Sequence, residues 1–288
     1  MQKYITSNLI LESSCLKKFT ESQKSSIENS EQTFYGSIKV CRTTLPSQNG
    51  DSTEYVTIFT PKLWLLDKSD SRKVSTVISD ELGKMLRKIC KNPSNVLVAG
   101  LGNRRLSADS LGALTADKIS VTRHINLVNN EAFKSLDTCS VSAVSCGVLG
   151  DTGVESAEIL KGLVSEICPQ VIIAVDALAA RAVERLGATV QISDVGISPG
   201  AGIGNRRHAL NKKTLGVPVI ALGVPTVISA STLVADTLDK IGIAANDELE
   251  RLLTERKNFF VTSKESDLLS VGASEVLADA INRTLIGI

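Results

Sequence analysis

The chain has almost no surplus of charge: 32 Lys and Arg stand against 31 Asp and Glu, for a formal net charge of +1. Such a balance supplies no long-range field for nucleic acid or an acidic membrane, and neither partner is expected. There are only two histidines, His124 and His208, and neither has an HExxH or other paired-ligand spacing, so a metal centre is not expected. None of the six cysteines (Cys15, Cys41, Cys90, Cys139, Cys146 and Cys168) forms a CxxC pair, and they read as reduced, mostly buried thiols. The first residues lack an apolar secretory core, and the most apolar later run is broken by Pro225, Ser229 and Ser231. A cytoplasmic location is therefore the expectation. Internal repeats and low-complexity stretches are also absent.

What is present is an ordinary globular composition, 43% hydrophobic and 22% charged over 288 residues, enough for one large α/β domain with decorations. Residues 8–30 mix leucines with Lys, Glu and Ser at helical spacing. Two alternating, β-branched segments, Phe34 to Val40 and Tyr55 to Thr60, flank a turn-forming stretch and predict a small β-hairpin layer. Val74, Val77, Ile78, Leu82, Met85, Leu86 and Ile89 then mark one helical face. From there apolar strands alternate with amphipathic helices. The strand candidates start at Val96, Val141, Val171, Thr189 and Val217; the helix candidates cover 107–119, 155–167, 177–186 and 226–241. Val171-Ile172-Ile173-Ala174-Val175 is apolar at every position, as a strand buried on both faces must be. The expected fold is a three-layer, doubly wound, mostly parallel α/β sheet. Residues 1–73 form an N-terminal helix and small β layer, 74–245 the catalytic core, and 246–288 the C-terminal helices.

In an open parallel sheet the reactive crevice lies beyond the carboxyl ends of the strands. Two acids fall there. One strand ends in Ala99-Gly100-Leu101-Gly102-Asn103 and leads to Asp109 at a helix start, and another runs directly into Asp176. Helix capping alone also accounts for an Asp at either position. A close carboxylate pair cannot readily ionise twice, so one acid can donate a hydrogen bond while the other takes a proton from water, which suits peptide hydrolysis. A second constellation, Gln191 to Asn205, includes Asp194, Gly202 and Asn205. It is glycine-rich but lacks the strand–GxGxxG–helix order of a dinucleotide loop, so no nucleotide is expected. Cys146 has no activating histidine beside it in sequence, and Arg181, on the helix expected after Asp176, is placed to orient a carboxylate or the substrate.

Several segments in order resemble the spore germination proteases. They are Gly100-Leu101-Gly102-Asn103, Asp109-Ser110-Leu111-Gly112, Val121-Thr122-Arg123-His124, Thr152-Gly153-Val154-Glu155, Ala174 to Arg181, Gln191 to Asp194, Pro199-Gly200 to Gly204-Asn205, and Leu215 to Thr226. Weaker matches fall near Val261 to Glu265 and along Asn8 to Glu12, with few residues before the latter to serve as a propeptide. The resemblance implies a fold related to hydrogenase-maturation endopeptidases and cleavage of small acid-soluble spore proteins during germination. It also implies synthesis as a zymogen in the forespore or spore core, a homotetramer, and no metal or nucleotide cofactor. Asp109 and Asp176 fall on the family's atypical aspartate dyad, with Asn103, His124, Arg181, Asp194, Gly202 and Asn205 as supporting or substrate-binding residues. A catalytically silent paralogue is the alternative, and retention of both acids argues against it.

Overall fold

The computed structural model describes residues 7–12, 20–46, 52–199, 208–243, 246–255 and 259–286. Its N-terminal elements are α1 (Glu21–Glu28), β1 (Glu31–Tyr35), β2 (Ile38–Pro46), β3 (Ser52–Phe59) and α2 (Lys68–Ile89). The middle of the chain forms β4 (Asn95–Leu101), α3 (Leu111–Ala116), α4 (Arg123–Val128), α5 (Asn130–Lys134), β5 (Ser140–Gly147), α6 (Leu149–Thr152), α7 (Ser156–Ile167) and β6 (Val171–Ala180). It closes with β7 (Thr189–Ser193), α8 (Lys212–Leu215), β8 (Val219–Ser229), α9 (Ala230–Lys240), α10 (Asp247–Glu255), β9 (Phe260–Val261) and α11 (Ser266–Leu285).

Successive residues of a strand point to opposite faces. In β6, Val171, Ile173 and Val175 enter one core cluster, and Ile172 and Ala174 enter another. The first cluster takes the apolar stripe of α2, including Val74, Ile78, Leu82 and Leu86, together with Leu111 of α3 and Ala273, Leu277 and Ile281 of α11. The second takes Ala157 and Leu160 of α7 and Leu215 of α8. Helices thus cover both faces, which is why the run carries no polar residue before Asp176.

The strands form one mixed sheet in the order β1-β2-β3-β7-β8-β6-β4-β5, with β9 paired to β8. Its core is parallel: β4 lies between β5 and β6, and β6 pairs with β8. The fold is the α/β class expected. The N-terminal strands are antiparallel, and β3 pairs with β7, which is itself antiparallel to β8. The small β element is therefore welded to one edge of the central sheet, and α2 begins at residue 68 to cover the same sheet.

Several local expectations change. The segment expected as one stretch over Phe34 to Val40 is divided by a turn at Gly36–Ser37, across which β1 and β2 pair. Residues 177–186 are not a helix: β6 runs on to Ala180 and a 3-10 turn, Val183–Arg185, follows. Ala177, Ala179 and Ala180 favour helix intrinsically, but tertiary pairing overrides propensity, because Ala177 to Ala180 continue the register with β8. Residues 226–229 likewise belong to β8, so that helix starts at Ala230. The helix expected over 107–119 divides into a 3-10 turn, Ser107–Asp109, and the short α3. Within 8–30 the described helical pieces are a 3-10 turn, Ile10–Glu12, and α1.

Candidate active site

The loop after β4 is built from glycines that let backbone approach backbone. A Cβ on Gly100 would lie 2.1 Å from the Gly112 carbonyl oxygen, and one on Gly112 would lie 2.3 Å from that of Val175. The first turns of α3 therefore sit directly on β4 and β6. Gly102 has φ +92°, and a Cβ there would fall 2.1 Å from the Asp109 carbonyl oxygen and 2.9 Å from Asp109 Oδ1. Only glycine fits so close a return of the chain at that φ.

Asp109 ends the 3-10 turn, half-buried, and its Oδ2 accepts the Asn103 N–H at 2.8 Å. Asn103 Oδ1 in turn accepts the Arg105 N–H at 2.9 Å, which shapes the approach loop. Two distant residues fasten the turn from outside: Thr226 Oγ1 donates to the Ala108 carbonyl at 2.5 Å and Ser270 Oγ to that of Ser107 at 2.6 Å. The turn lies against β6, β8 and α11. Sequence reading did not single out Thr226 or Ser270 as supports, since nothing in spacing links them to residues over a hundred positions away.

Asp176 sits inside β6 rather than at its end, 5% exposed, on the face of Ile172 and Ala174. Its Oδ1 accepts the Ala177 N–H at 2.9 Å. It is not a helix N-cap, so the capping account of this acid does not hold. The paired residue in β8 is Gly223, whose missing side chain leaves room for Leu178. Gly223 and Leu178 line a cavity of about 320 Å³ together with Tyr55, Gln191, Ser193 and Asn211. Both acids thus lie on adjoining elements at the carboxyl edge of the parallel core, and a cavity opens beside the second.

Other expected site residues divide. Asp194 follows β7; its Oδ1 accepts the Glu54 N–H at 2.8 Å, and Lys88 Nζ stands 4.0 Å from Oδ2. Burial raises its carboxyl above the ordinary range, opposed by that N–H and by Lys88. The Tyr55 hydroxyl is pushed up to about 12, by burial first and then by the Asp194 charge, so it is a neutral wall of the cavity. Arg181 is not on a helix after Asp176. It follows the end of β6, and its guanidinium pairs with Asp236 and Asp239 of α9, with Nη2 donating to Asp239 at 2.6 Å. His124 is exposed at the start of α4, where Thr122 and Val141 exchange hydrogen bonds of 3.0 and 2.9 Å at the amino-terminal end of β5. That is the opposite edge of the sheet from the acids, and the structure does not bring them together. Gly202 and Asn205 lie outside the described residues. The Cys146 thiol is buried and pushed up to about 12, which suits a packed side chain and not a nucleophile. Among the described residues, no three of His, Cys, Asp and Glu gather as metal ligands, and no helix is long and apolar enough to cross a membrane.

A peptidase family model, described as germination protease, matches residues 16–250. The germination protease of Clostridium acetobutylicum is 40% identical over 255 residues, covering 80% of this chain and 78% of that protein. That of Caldanaerobacter subterraneus is 38% identical over 277 residues, covering 86% and 85%. That of Bacillus subtilis is 45% identical over 176 residues, covering 61% and 48%. Among solved structures, a [NiFe] hydrogenase maturation protease from Thermococcus kodakarensis aligns over 67% of this chain and 98% of its own, at 18% identity and a TM-score of 0.32. The class is thus a peptidase on an α/β sheet. This chain belongs to the germination protease family.

Proposed function

We propose that this protein is an endopeptidase that hydrolyses small acid-soluble spore proteins during germination, with Asp109 and Asp176 as its water-activating pair. The observation that carries the reading is the buried Asp176, set within a central strand beside Gly223 and a cavity, with the fastened Asp109 turn on the adjoining element. The cavity receives the substrate chain. One carboxylate, ionised, accepts a proton from the attacking water; the other, protonated, polarises the scissile carbonyl and then helps protonate the leaving amine. The division of the two roles belongs to the pair and is assigned to neither acid singly. The turn supports from Asn103, Thr226 and Ser270 keep one acid placed without reorganisation, which is the geometric requirement for such catalysis. Family membership favours the rest of the reading: synthesis as a zymogen, assembly as a homotetramer, action in the spore core, and no dependence on a metal or nucleotide.

The test is cleavage of a purified small acid-soluble spore protein by wild type and by Asp109→Asn and Asp176→Asn, each with and without a chelator. Each Asn variant should lose about 10²–10⁴-fold in rate, the usual contribution of a positioned acid or base, with an unchanged unfolding curve. Full activity in either variant, or loss of wild-type activity on chelation, would overturn the mechanism.

A further inference from the structure

β5 forms one outer edge of the sheet, paired only with β4 among the described residues. Alternate residues of a parallel strand turn both of their backbone groups to the same side. Val141 turns its pair outward: its carbonyl accepts the Thr122 N–H at 3.0 Å, and its N–H donates to Thr122 Oγ1 at 2.9 Å. By the same alternation Ala143 and Ser145 present two N–H and two C=O groups on the outer side. No described strand pairs with them there, and residues 142–145 are all partly exposed.

Sheet edges are normally blunted by charge, by proline or by a very short strand. β1, at the opposite edge, has five residues and begins with Glu31. β5 has eight, Ser140-Val141-Ser142-Ala143-Val144-Ser145-Cys146-Gly147, with neither a charge nor a proline, and its ladder with β4 is regular as far as Ser145. Left bare, such an edge is a template for another strand, so its lack of protection marks it as covered in the assembled protein.

Two copies of this edge match each other. With a two-fold axis at Val144, antiparallel pairing sets Ala143 of one copy opposite Ser145 of the other and satisfies all the free groups of both. A register centred on Ala143 would set Ser145 against Val141, which Thr122 already occupies, and one centred on Ser145 would set Ala143 against Gly147, past the shift in register. The same axis carries the amino end of one strand to the carboxyl end of the other. Leu127 and Val128 of α4, 68% and 87% exposed beside the amino end, then meet Leu149 and Val154, 44% and 39% exposed just past the carboxyl end. The edge and its two flanks supply about 20 residues a side, at the lower end of the roughly 20–30 that a standard interface uses.

We infer that β5 is a seam between two copies of this chain, joining their sheets antiparallel about Val144. The inference rests on the homotetramer reading given above and supplies one of the interfaces such an assembly needs. α6 is tied to the loop that leads to Asp109, with Arg105 Nη1 3.8 Å from Asp151 Oδ1, so α4 of one copy borders the active-site approach of the other.

The test is sedimentation velocity over a range of protein concentrations, with amide exchange at Ala143 and Ser145. Neither readout needs turnover, so processing of the chain does not affect it. Both amides should be protected at least about 100-fold in the assembled wild type. Ala143→Pro removes one outward donor and no internal hydrogen bond, a change that edge strands tolerate. It should about halve the assembled mass and release the Ser145 N–H to fast exchange. Val128→Asp changes an exposed side chain and keeps the test open if Ala143→Pro does not fold; a charge set against apolar partners should weaken association at least about tenfold. An assembled wild type whose Ala143 and Ser145 exchange freely, or variants that fold and associate as wild type does, would overturn the inference and leave the homotetramer standing. A wild type that is monomeric at every concentration would overturn both. Protection that appears only when a small acid-soluble spore protein is added would give the edge to the substrate and likewise overturn the inference.

Discussion

Gly102→Ala probes how the Asp109 turn is built. The new Cβ would sit 2.1 Å from the Asp109 carbonyl oxygen, 2.9 Å from Oδ1 and 3.1 Å from Cγ. Contacts between heavy atoms are favourable near about 3.5 Å, so the turn must retreat by more than about 1 Å. The φ of +92° adds a cost of its own, about 1–3 kcal/mol for a residue with a side chain. Retreat also breaks the Asn103–Asp109 hydrogen bond, worth about 0.5–1.5 kcal/mol. Together these terms give a loss of about 1.5–4.5 kcal/mol, read as a lower urea midpoint at unchanged m. Gly216→Ala is the control. It has φ +78° with nothing within 4 Å of the added Cβ, so it carries the backbone cost and no clash, about 1 kcal/mol. In the cleavage assay Gly102→Ala should lose about 10²-fold, the effect of misplacing a reacting group by about 1 Å, while Gly216→Ala should retain its rate. Equal stability losses in the two variants, with Gly102→Ala fully active, would refute the argument.

Two further outcomes follow from the packing. Thr57 Oγ1 is buried without a hydrogen-bond partner among the described residues, so Thr57→Val should be neutral or stabilising by up to about 1 kcal/mol, and a loss beyond about 2 kcal/mol in urea unfolding would refute this. Glu54 is desolvated, which alone raises its pKa, but hydrogen bonds and charge from Lys88 and Arg42 more than offset this and hold it below its ordinary 4.5. A carboxyl depressed on folding contributes stability that is present above its unfolded pKa and lost as pH falls through the folded one. The unfolding midpoint should therefore drop on acidification below about pH 4.5, and Glu54→Gln should flatten that limb; parallel curves would refute the assignment.

How far the site could be read in advance depended on whether the signal was local. The order of apolar strands, with one ending at Ala99-Gly100-Leu101-Gly102-Asn103 ahead of Asp109 and an unbroken apolar run leading to Asp176, is local in sequence and marks central strands of a parallel sheet. The placement of both acids at the carboxyl edge followed from those patterns. The supports of the Asp109 turn did not, because Thr226 and Ser270 reach it through side chain to backbone bonds that leave no periodic trace. Arg181 and His124 show the same limit from the other direction. Each lies in a segment matched to the family, yet one is paired with α9 and the other stands at the far edge of the sheet.

By itself, the sequence determined the α/β class, the both-faces burial of β6 and the apolar stripe of α2, because each is written in residues a few positions apart. Tertiary structure alone decided that β6 and β8 run on through segments of high helix propensity, that β3 pairs antiparallel with β7, and that Glu12 closes over the end of β6. Those outcomes depend on neighbours supplied from distant parts of the chain: Gly223 and Pro225 set the register opposite Asp176 and Leu178, Tyr55 pairs with Ser193, and Arg181, Ala182 and Arg185 converge on Glu12. Pairing and burial of that kind are gained only when the whole sheet forms, and they outweigh the preferences of any single segment.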